Sequence, residues 1–158
     1  MPNIARTRQI PTTVERVWAL VSDPHNLPRW WPETVRVEDV QGTIGASRSR
    51  FTQVFETGKG KPVRADYRCT ASTAGERLVW QQEIEGTPFE GFLRDAELEL
   101  RLGPAAEVGA TEVTVEARRG LRGLSRFGSP MMRRATGRTL SEALAGIEEA
   151  LCGLAEGR

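Results

Sequence analysis

The sequence predicts an α+β fold: a curved antiparallel sheet of seven strands around one long C-terminal helix, with two short helices after the first strand. Three observations carry this. A segment behind Pro11 has helical spacing, the chain from about Val35 to Arg119 alternates polar and apolar residues, and the residues after Pro130 hold one unbroken amphipathic stripe.

Residues 3–10 read as a short strand ending at Pro11. A helix follows. Thr12 and Glu15 have the spacing of a capping box, and Val14, Val17, Trp18 and Val21 recur at i, i+3, i+4 and i+7. The next stretch, SDPHNLPRWWP from Ser22 to Pro32, starts as a second short helix, with Asp23 as its cap and Pro24 as its first residue. Leu27 and Trp30 share a face there, Trp31 lies at i+4 from Leu27, and Pro32 ends the helix. Pro28 falls late enough to cost one backbone bond, which predicts a short or distorted turn.

The strands are expected at 34–40, 46–57, 62–73, 77–85, 90–102 and 111–119. Val63, Ala65, Tyr67, Cys69 and Ala71 fall on one face, against Arg64, Asp66, Arg68 and Thr70 on the other. Leu98, Leu100 and Leu102 oppose Glu97, Glu99 and Arg101 in the same way, and Val113, Val115 and Ala117 oppose Glu112, Thr114, Glu116 and Arg118. Such alternation marks an antiparallel sheet with one wet face. Glycine-rich turns separate the runs, as at Gly58-Lys59-Gly60 and Gly86-Thr87-Pro88.

Ser129 and Pro130 suit the cap and first residue of a helix running to about Leu154. Its apolar stripe is Met132, Ala135, Thr136, Thr139, Leu140, Ala143, Leu144, Ile147 and Leu151. This one helix must cover the dry face of the whole sheet, and Ala135, Thr136, Thr139 and Ala143 are small. Small residues under a curved sheet leave space. The expectation is a cavity between sheet and helix, closed at one end by the short helices and their tryptophans.

With 158 residues the chain is expected to form a single domain, 1–158, that buries roughly 70% of its unfolded surface without a disulfide or metal. A net charge of +1 selects no partner for the molecule as a whole. Cys69 and Cys152 are far apart and have no CxxC spacing, so both are expected as small buried hydrophobes in a reducing compartment. The N-terminus has no apolar signal segment and no run approaches a membrane span, so a soluble, cytoplasmic protein is expected. One histidine and two scattered cysteines argue against zinc, and there is neither a P-loop nor a GxGxxG motif; no metal and no cofactor is expected.

The opening IPTTVERVWALVSDP, the LPRWWP that closes the second helix, RLVW from Arg77 to Trp80 and GATEVTVEA from Gly109 to Ala117 together resemble the START/Bet v 1-like superfamily, the helix-grip or SRPBCC proteins. Within it the chain is most similar to the bacterial polyketide cyclase/dehydrase and lipid-transport-like branch, and the likeness spans almost the whole chain. The resemblance implies a seven-stranded antiparallel sheet gripping a C-terminal helix. It does not imply one chemistry, because relatives include carriers of apolar ligands, cyclases and aromatases, and protein-binding modules. The W-W-P is also similar to the branch of Hsp90-activator domains.

The family's single tryptophan matches Trp30, which is expected to point inward against Leu27 and the end of the long helix, with Trp31 at the cavity mouth; the competing reading makes both core plugs. By alternation the inward sheet residues are Phe51, Gln53, Phe55, Tyr67, Cys69, Leu78, Trp80, Gln82 and Ile84, followed by Phe92, Arg94 and Leu98. Apolar walls with a few polar points describe a small-molecule site. The ligand-binding set is therefore Trp30, Phe51, Phe55, Tyr67, Trp80, Gln82, Phe92 and Leu98 from the wall, with Met132, Thr136 and Leu140 from the helix. Gln53 and Arg94 add polar points, although Arg94 could equally sit on a bulge facing water. No catalytic residue is identified; Tyr67 and Arg94 are the candidates if the protein is an enzyme. His25 is expected at the surface.

Arg118, Arg119, Arg122, Arg126, Arg133, Arg134 and Arg138 follow one another without an intervening acid. They read as a solvated basic face or as a peripheral contact for an anionic membrane or acidic carrier, and not as a nucleic-acid site, since no stacking aromatics accompany them. The functional expectation is binding of a small, mainly apolar, lipid- or polyketide-like ligand. The alternatives are a polyketide cyclase/aromatase-type enzyme and an Hsp90-activator-like interaction module. The ligand's identity and the oligomeric state are left open.

Overall fold

The computed structural model describes residues 3–56, 60–123 and 129–153. Strand β1 (Asn3–Ile10) leads into helix α1 (Val14–Val21), a 3₁₀ turn at Pro24–Asn26 and the single-turn helix α2 (Leu27–Trp30). Then come β2 (Thr34–Gln41), β3 (Arg50–Glu56), β4 (Pro62–Thr73), β5 (Arg77–Glu83), β6 (Leu93–Pro104), β7 (Thr111–Leu121) and the long helix α3 (Ser129–Cys152). All strand pairs are antiparallel, in the order β1-β7-β6-β5-β4-β3-β2. This is the α+β helix-grip architecture the element order predicts.

Three local expectations need correction. The cap of α1 is Thr13, whose side chain accepts from Arg16 N; Thr12 is instead buried, and its carbonyl accepts from Thr111 Oγ1 at 2.7 Å. The two adjacent threonines divide the work, one holding the helix start and the other tying it to β7. The strand expected from residue 90 begins at Leu93, because Thr87 caps a 3₁₀ turn at Pro88–Gly91 and holds those residues out of the ladder. The strand expected from residue 46 begins at Arg50, because Ser49 folds back on the Ala46 carbonyl through both its amide and its hydroxyl. The short, irregular turn expected around Pro28 is present: the segment divides into the 3₁₀ turn and the four-residue α2, and Pro28 lies in the first turn of α2, where no backbone donor is needed. Ser129 is the first residue of α3, and its side chain, expected as the cap, lies outside what the structure describes. Helix α3 ends at Gly153, whose φ of +67° favours glycine and whose amide donates to Glu149 O at 3.0 Å.

The core lies where α3 meets α1 and the inner face of the sheet. Ile10, Leu78, Leu100, Val113 and Val115 from the strands, Val17 and Val21 from α1, and Leu140, Ala143 and Ile147 from α3 are fully buried. Helix α3 packs mainly against β1, β7, α1 and α2. Contact with α2 is close: a β-carbon on Gly146 would lie 3.0 Å from Trp30 Cα and nearer still to its carbonyl oxygen. The long helix thus lies toward the β1–β7 side of the sheet and leaves part of the concave face around β3 and β4 without helical cover.

The outer face carries an ion network across β5, β6 and β7. Glu99, buried among arginines, accepts from Arg77 at 2.6 Å and Arg118 at 2.7 Å, and lies 3.4 Å from Arg101. Arg101 and Arg118 also reach Glu116, and Arg118 reaches Glu97. The aliphatic stems of these arginines cover the strands they cross.

Candidate functional site

Alternation on three neighbouring strands builds an aromatic wall. Phe51 of β3 stacks on Tyr67 of β4, centroids 5.4 Å apart and rings 21° from parallel, and meets Trp80 of β5 edge-on at 5.0 Å. On the same face Gln53, which also lines the inner chamber, donates to Thr34 Oγ1 at 2.7 Å. In front of the wall the concave face holds two neighbouring spaces. An inner chamber of about 30 Å³ is lined by Leu27, Trp31, Tyr67, Trp80, Gln82, Leu98 and Arg119, among others. It holds no more than a water or two. A wide cleft of about 550 Å³ lies outside it, between Phe55, Val63 and Tyr67 on the sheet, Trp31 and Pro32 behind α2, and Ala135, Arg138 and Thr139 on α3. Trp31, Tyr67 and Arg119 line both spaces and mark the boundary, or throat, between them.

The expected cavity is therefore partly corrected. It lies beside the N-terminal half of α3 only. Ala143, one of the small residues expected to leave space, is fully buried in the core, whereas Ala135 and Thr139 border the cleft.

Trp30 is 3% exposed and sits in the core beside Leu27, while Trp31 is half-buried at the throat. The two rings meet edge-on at 5.6 Å. Phe55, Tyr67, Trp80, Gln82 and Leu98 border the chamber or cleft. Met132 and Thr136 border a small separate hollow that they share with Arg119. Trp30, Phe51 and Leu140 support the site from the core. Phe92 and Arg94 do not point inward; both are exposed. The cause is a bulge: Leu93 pairs with Leu121 and Asp95 with Gly120, so Arg94 is an extra residue that resets the alternation of β6. Arg94 is thereby removed as a candidate for catalysis inside the cavity. Of the two cysteines, Cys69 is buried and Cys152 only half-buried at the end of α3. His25 is exposed and pairs with Asp23 at 3.0 Å, away from the cavity.

The arginines after Ala117 do not make one basic face. Arg118 points outward into the ion network, whereas Arg119, one residue on, points inward, as strand geometry requires. Arg119 stands opposite Ala96 on β6, whose small side chain leaves room for it. It donates to Thr136 Oγ1 at 3.3 Å and so bridges sheet and helix. Arg138 borders the cleft, and Arg122, Arg133 and Arg134 are exposed. Arg126 lies outside the described residues. The signal for Arg119 was present in the sequence: the face Val113, Val115, Ala117 continues to residue 119. Reading the arginines as one run concealed it.

Burial pushes the Tyr67 phenol above its ordinary pKa, and the nearby positive charge of Arg119 pulls the other way without cancelling it. Tyr67 thus stays protonated at neutral pH and acts as a hydrogen-bond donor. Among the described residues no cluster of three or more His, Cys, Asp or Glu could hold a metal ion, and no helix is long and apolar enough to cross a membrane.

A profile described as polyketide cyclase/dehydrase and lipid transport matches residues 1–151. The chain belongs to this family. Solved structures share this fold at low sequence identity. One is the di-domain ARO/CYC protein BexL from the BE-7585A biosynthetic pathway, with a TM-score of 0.78 at 20% identity; the match covers 99% of this chain and 48% of BexL. The protein TTHA0849 from Thermus thermophilus gives a TM-score of 0.74 at 22% identity, covering 99% of this chain and 100% of that one. A START superfamily protein from Mycobacterium smegmatis gives 0.74 at 14% identity, covering 94% and 96%. These identities establish the fold and leave the ligand to the site itself. No curated protein matches the sequence.

Proposed function

We propose that this protein binds a small, mainly apolar ligand, lipid- or polyketide-like, in the cleft between the sheet and the N-terminal half of α3. One observation carries the reading. The long helix lies toward one side of the sheet, and the space left is walled by Trp31, Phe55, Val63 and Tyr67 and edged by Glu33, Arg119, Arg138, Thr139 and Glu142. Clefts of this size and lining are where proteins hold small organic molecules. Removing a ligand's hydrocarbon from water contributes roughly 0.8 kcal/mol per buried CH₂, so ten carbons suffice for micromolar affinity.

Ala135 offers the test, because it is exposed on α3 and borders the cleft without entering the core. Ala135→Trp should fill the cleft and weaken binding by at least about tenfold, a loss of ~1.4 kcal/mol, with the melting temperature unchanged. Native mass spectrometry of the freshly purified protein identifies the ligand class, and tryptophan fluorescence titration with that ligand gives the affinity. Unchanged affinity in Ala135→Trp removes the cleft as the site.

A second reading, a ring-closing or dehydrating enzyme of the cyclase/aromatase type, is favoured by one feature: Tyr67, Gln82 and Arg119 bring polar groups to the same chamber. On that reading Tyr67→Phe abolishes turnover of a poly-β-ketone substrate and weakens its binding by no more than about tenfold, since one neutral hydrogen bond contributes only about 0.5–1.5 kcal/mol net. Equal turnover in wild type and Tyr67→Phe would remove Tyr67 from the chemistry. An interaction module of the Hsp90-activator kind gains no support from an open interior cleft.

A further inference from the structure

We infer that the ligand is an amphipathic carboxylate, an apolar body carrying one anionic group, and that Arg119 holds that group at the throat of the cleft. The inference rests on the proposed ligand-binding reading and specifies its chemistry.

Arg119 differs from the arginines of the ion network on the other face of the sheet. On the wet outer face Arg77, Arg101 and Arg118 each pair with one or more carboxylates. On the inner face, where a charge is harder to solvate, Arg119 has none: among the described residues no carboxylate lies within 4.0 Å of it, and its one hydrogen bond goes to the neutral hydroxyl of Thr136. A guanidinium carries five N–H donors, so most of its capacity is unused. Glu33 and Glu142 edge the outer cleft, yet neither comes within ion-pairing distance.

Gln82 makes the second, independent observation. The residue is 9% exposed, it lines the inner chamber, and its amide nitrogen is buried with no acceptor. Tyr67 borders the same chamber as a protonated phenol and makes no hydrogen bond among the described residues. Three donor groups therefore border one small space, and the one carboxylate residue in its lining, Glu97, is engaged by Arg118 at 3.1 Å instead of by any of them. Buried donors are normally satisfied, and a charged donor is satisfied best by a charged acceptor. The chamber is too small for a hydrocarbon body but suits a carboxylate head, whose tail would then lie along Phe55, Val63 and Ala135 in the cleft.

The experiment compares decanoate, methyl decanoate and decylammonium by isothermal titration calorimetry at pH 7.5 and low salt, on wild type, Arg119→Met and Arg119→Lys. Decanoate is expected to bind the wild type at least about tenfold tighter than its methyl ester, as expected for hydrogen bonds to a charged group. Arg119→Met should abolish that preference and leave the ester's affinity within about twofold, and Arg119→Lys should retain part of it. Thermal unfolding checks the variants, and Arg119→Met should melt no lower than wild type, because it removes a charge that has no counter-ion. The wild-type comparison decides even if a variant fails to fold. Equal affinity for acid and ester, or tighter binding of the amine, overturns the carboxylate inference while leaving the cleft as a ligand site. A preference that survives in Arg119→Met overturns the assignment to Arg119. Binding of none of the three overturns the underlying ligand reading and this inference with it.

Discussion

Gly146→Val is expected to destabilise the protein by about 3 kcal/mol, at the upper end of what overpacking costs, and to lower its melting temperature by roughly 6–12 °C. Helix propensity alone argues for the opposite sign, since glycine inside a helix costs up to about 1 kcal/mol against alanine. Packing decides the matter. Any β-carbon at Gly146 meets the Trp30 carbonyl group and Cα, and backbone cannot step aside as a side-chain tip can. Helix α2 must move away from α3, taking Trp30 out of the core and Trp31 out of the throat, so ligand affinity should fall along with stability. Gly137→Ala is the control. Its β-carbon meets only the guanidinium of Arg6, the far end of a flexible and exposed side chain, which can swing away. That variant is expected to be neutral or up to about 1 kcal/mol more stable. Thermal melts of the two side by side check the argument, and equal effects of the same sign would show that close approach of α2 is not what Gly146 provides.

Glu99→Gln is expected to remove a pH-dependent part of the stability. Burial works to raise the Glu99 pKa, but hydrogen bonds from Arg77 and Arg118 and the charges of both outweigh it and hold the carboxyl at about 2 instead of 4.5. A carboxyl with a depressed pKa in the folded state stabilises the fold above its unfolded pKa. That contribution disappears as the pH falls from about 4.5 toward 2. Taken at face value the shift corresponds to about 3 kcal/mol, but Arg77 and Arg101 are nearly half exposed, and solvent screening brings the expected value to about 1–2 kcal/mol. Wild type should therefore exceed Glu99→Gln by that amount in denaturant unfolding at pH 7, and the gap should close steadily through the acid range. A gap of the same size at about pH 3 and pH 7 would show that ionisation of Glu99 is not its source.

Much of this protein could be read from residue order. The spacing Val14, Val17, Trp18, Val21 marks α1, the alternation through β4, β6 and β7 marks strands with one dry face, and the stripe from Met132 to Leu151 marks α3. Local periodicity expresses which side of an element will be buried, and burial is what these elements gain by forming. The inward Trp30 and the rim position of Trp31 follow the same logic, helped by the family likeness. What periodicity could not settle were breaks in its own rhythm. The extra residue in β6 turns Arg94 and Phe92 away from the cavity; a bulge at Arg94 is one of the two readings the sequence allows, and only the pairing with β7 decides between them.

By itself the sequence determined the class of fold, the buried side of most elements, and, through the alternation of β7, that residue 119 must face inward. Only the tertiary structure decided that α3 lies toward β1 and β7, that Gly146 lets Trp30 sit against it, and that the remaining hollow is a small chamber beside a broad cleft. It also decided that Arg119 enters that throat without a carboxylate while Arg118 finds three. The physical reason is range. Side-chain direction along a strand or helix is a local property of the backbone, whereas the volume left between two packed layers, and the partners a charge finds there, depend on residues from several strands and two helices arriving together.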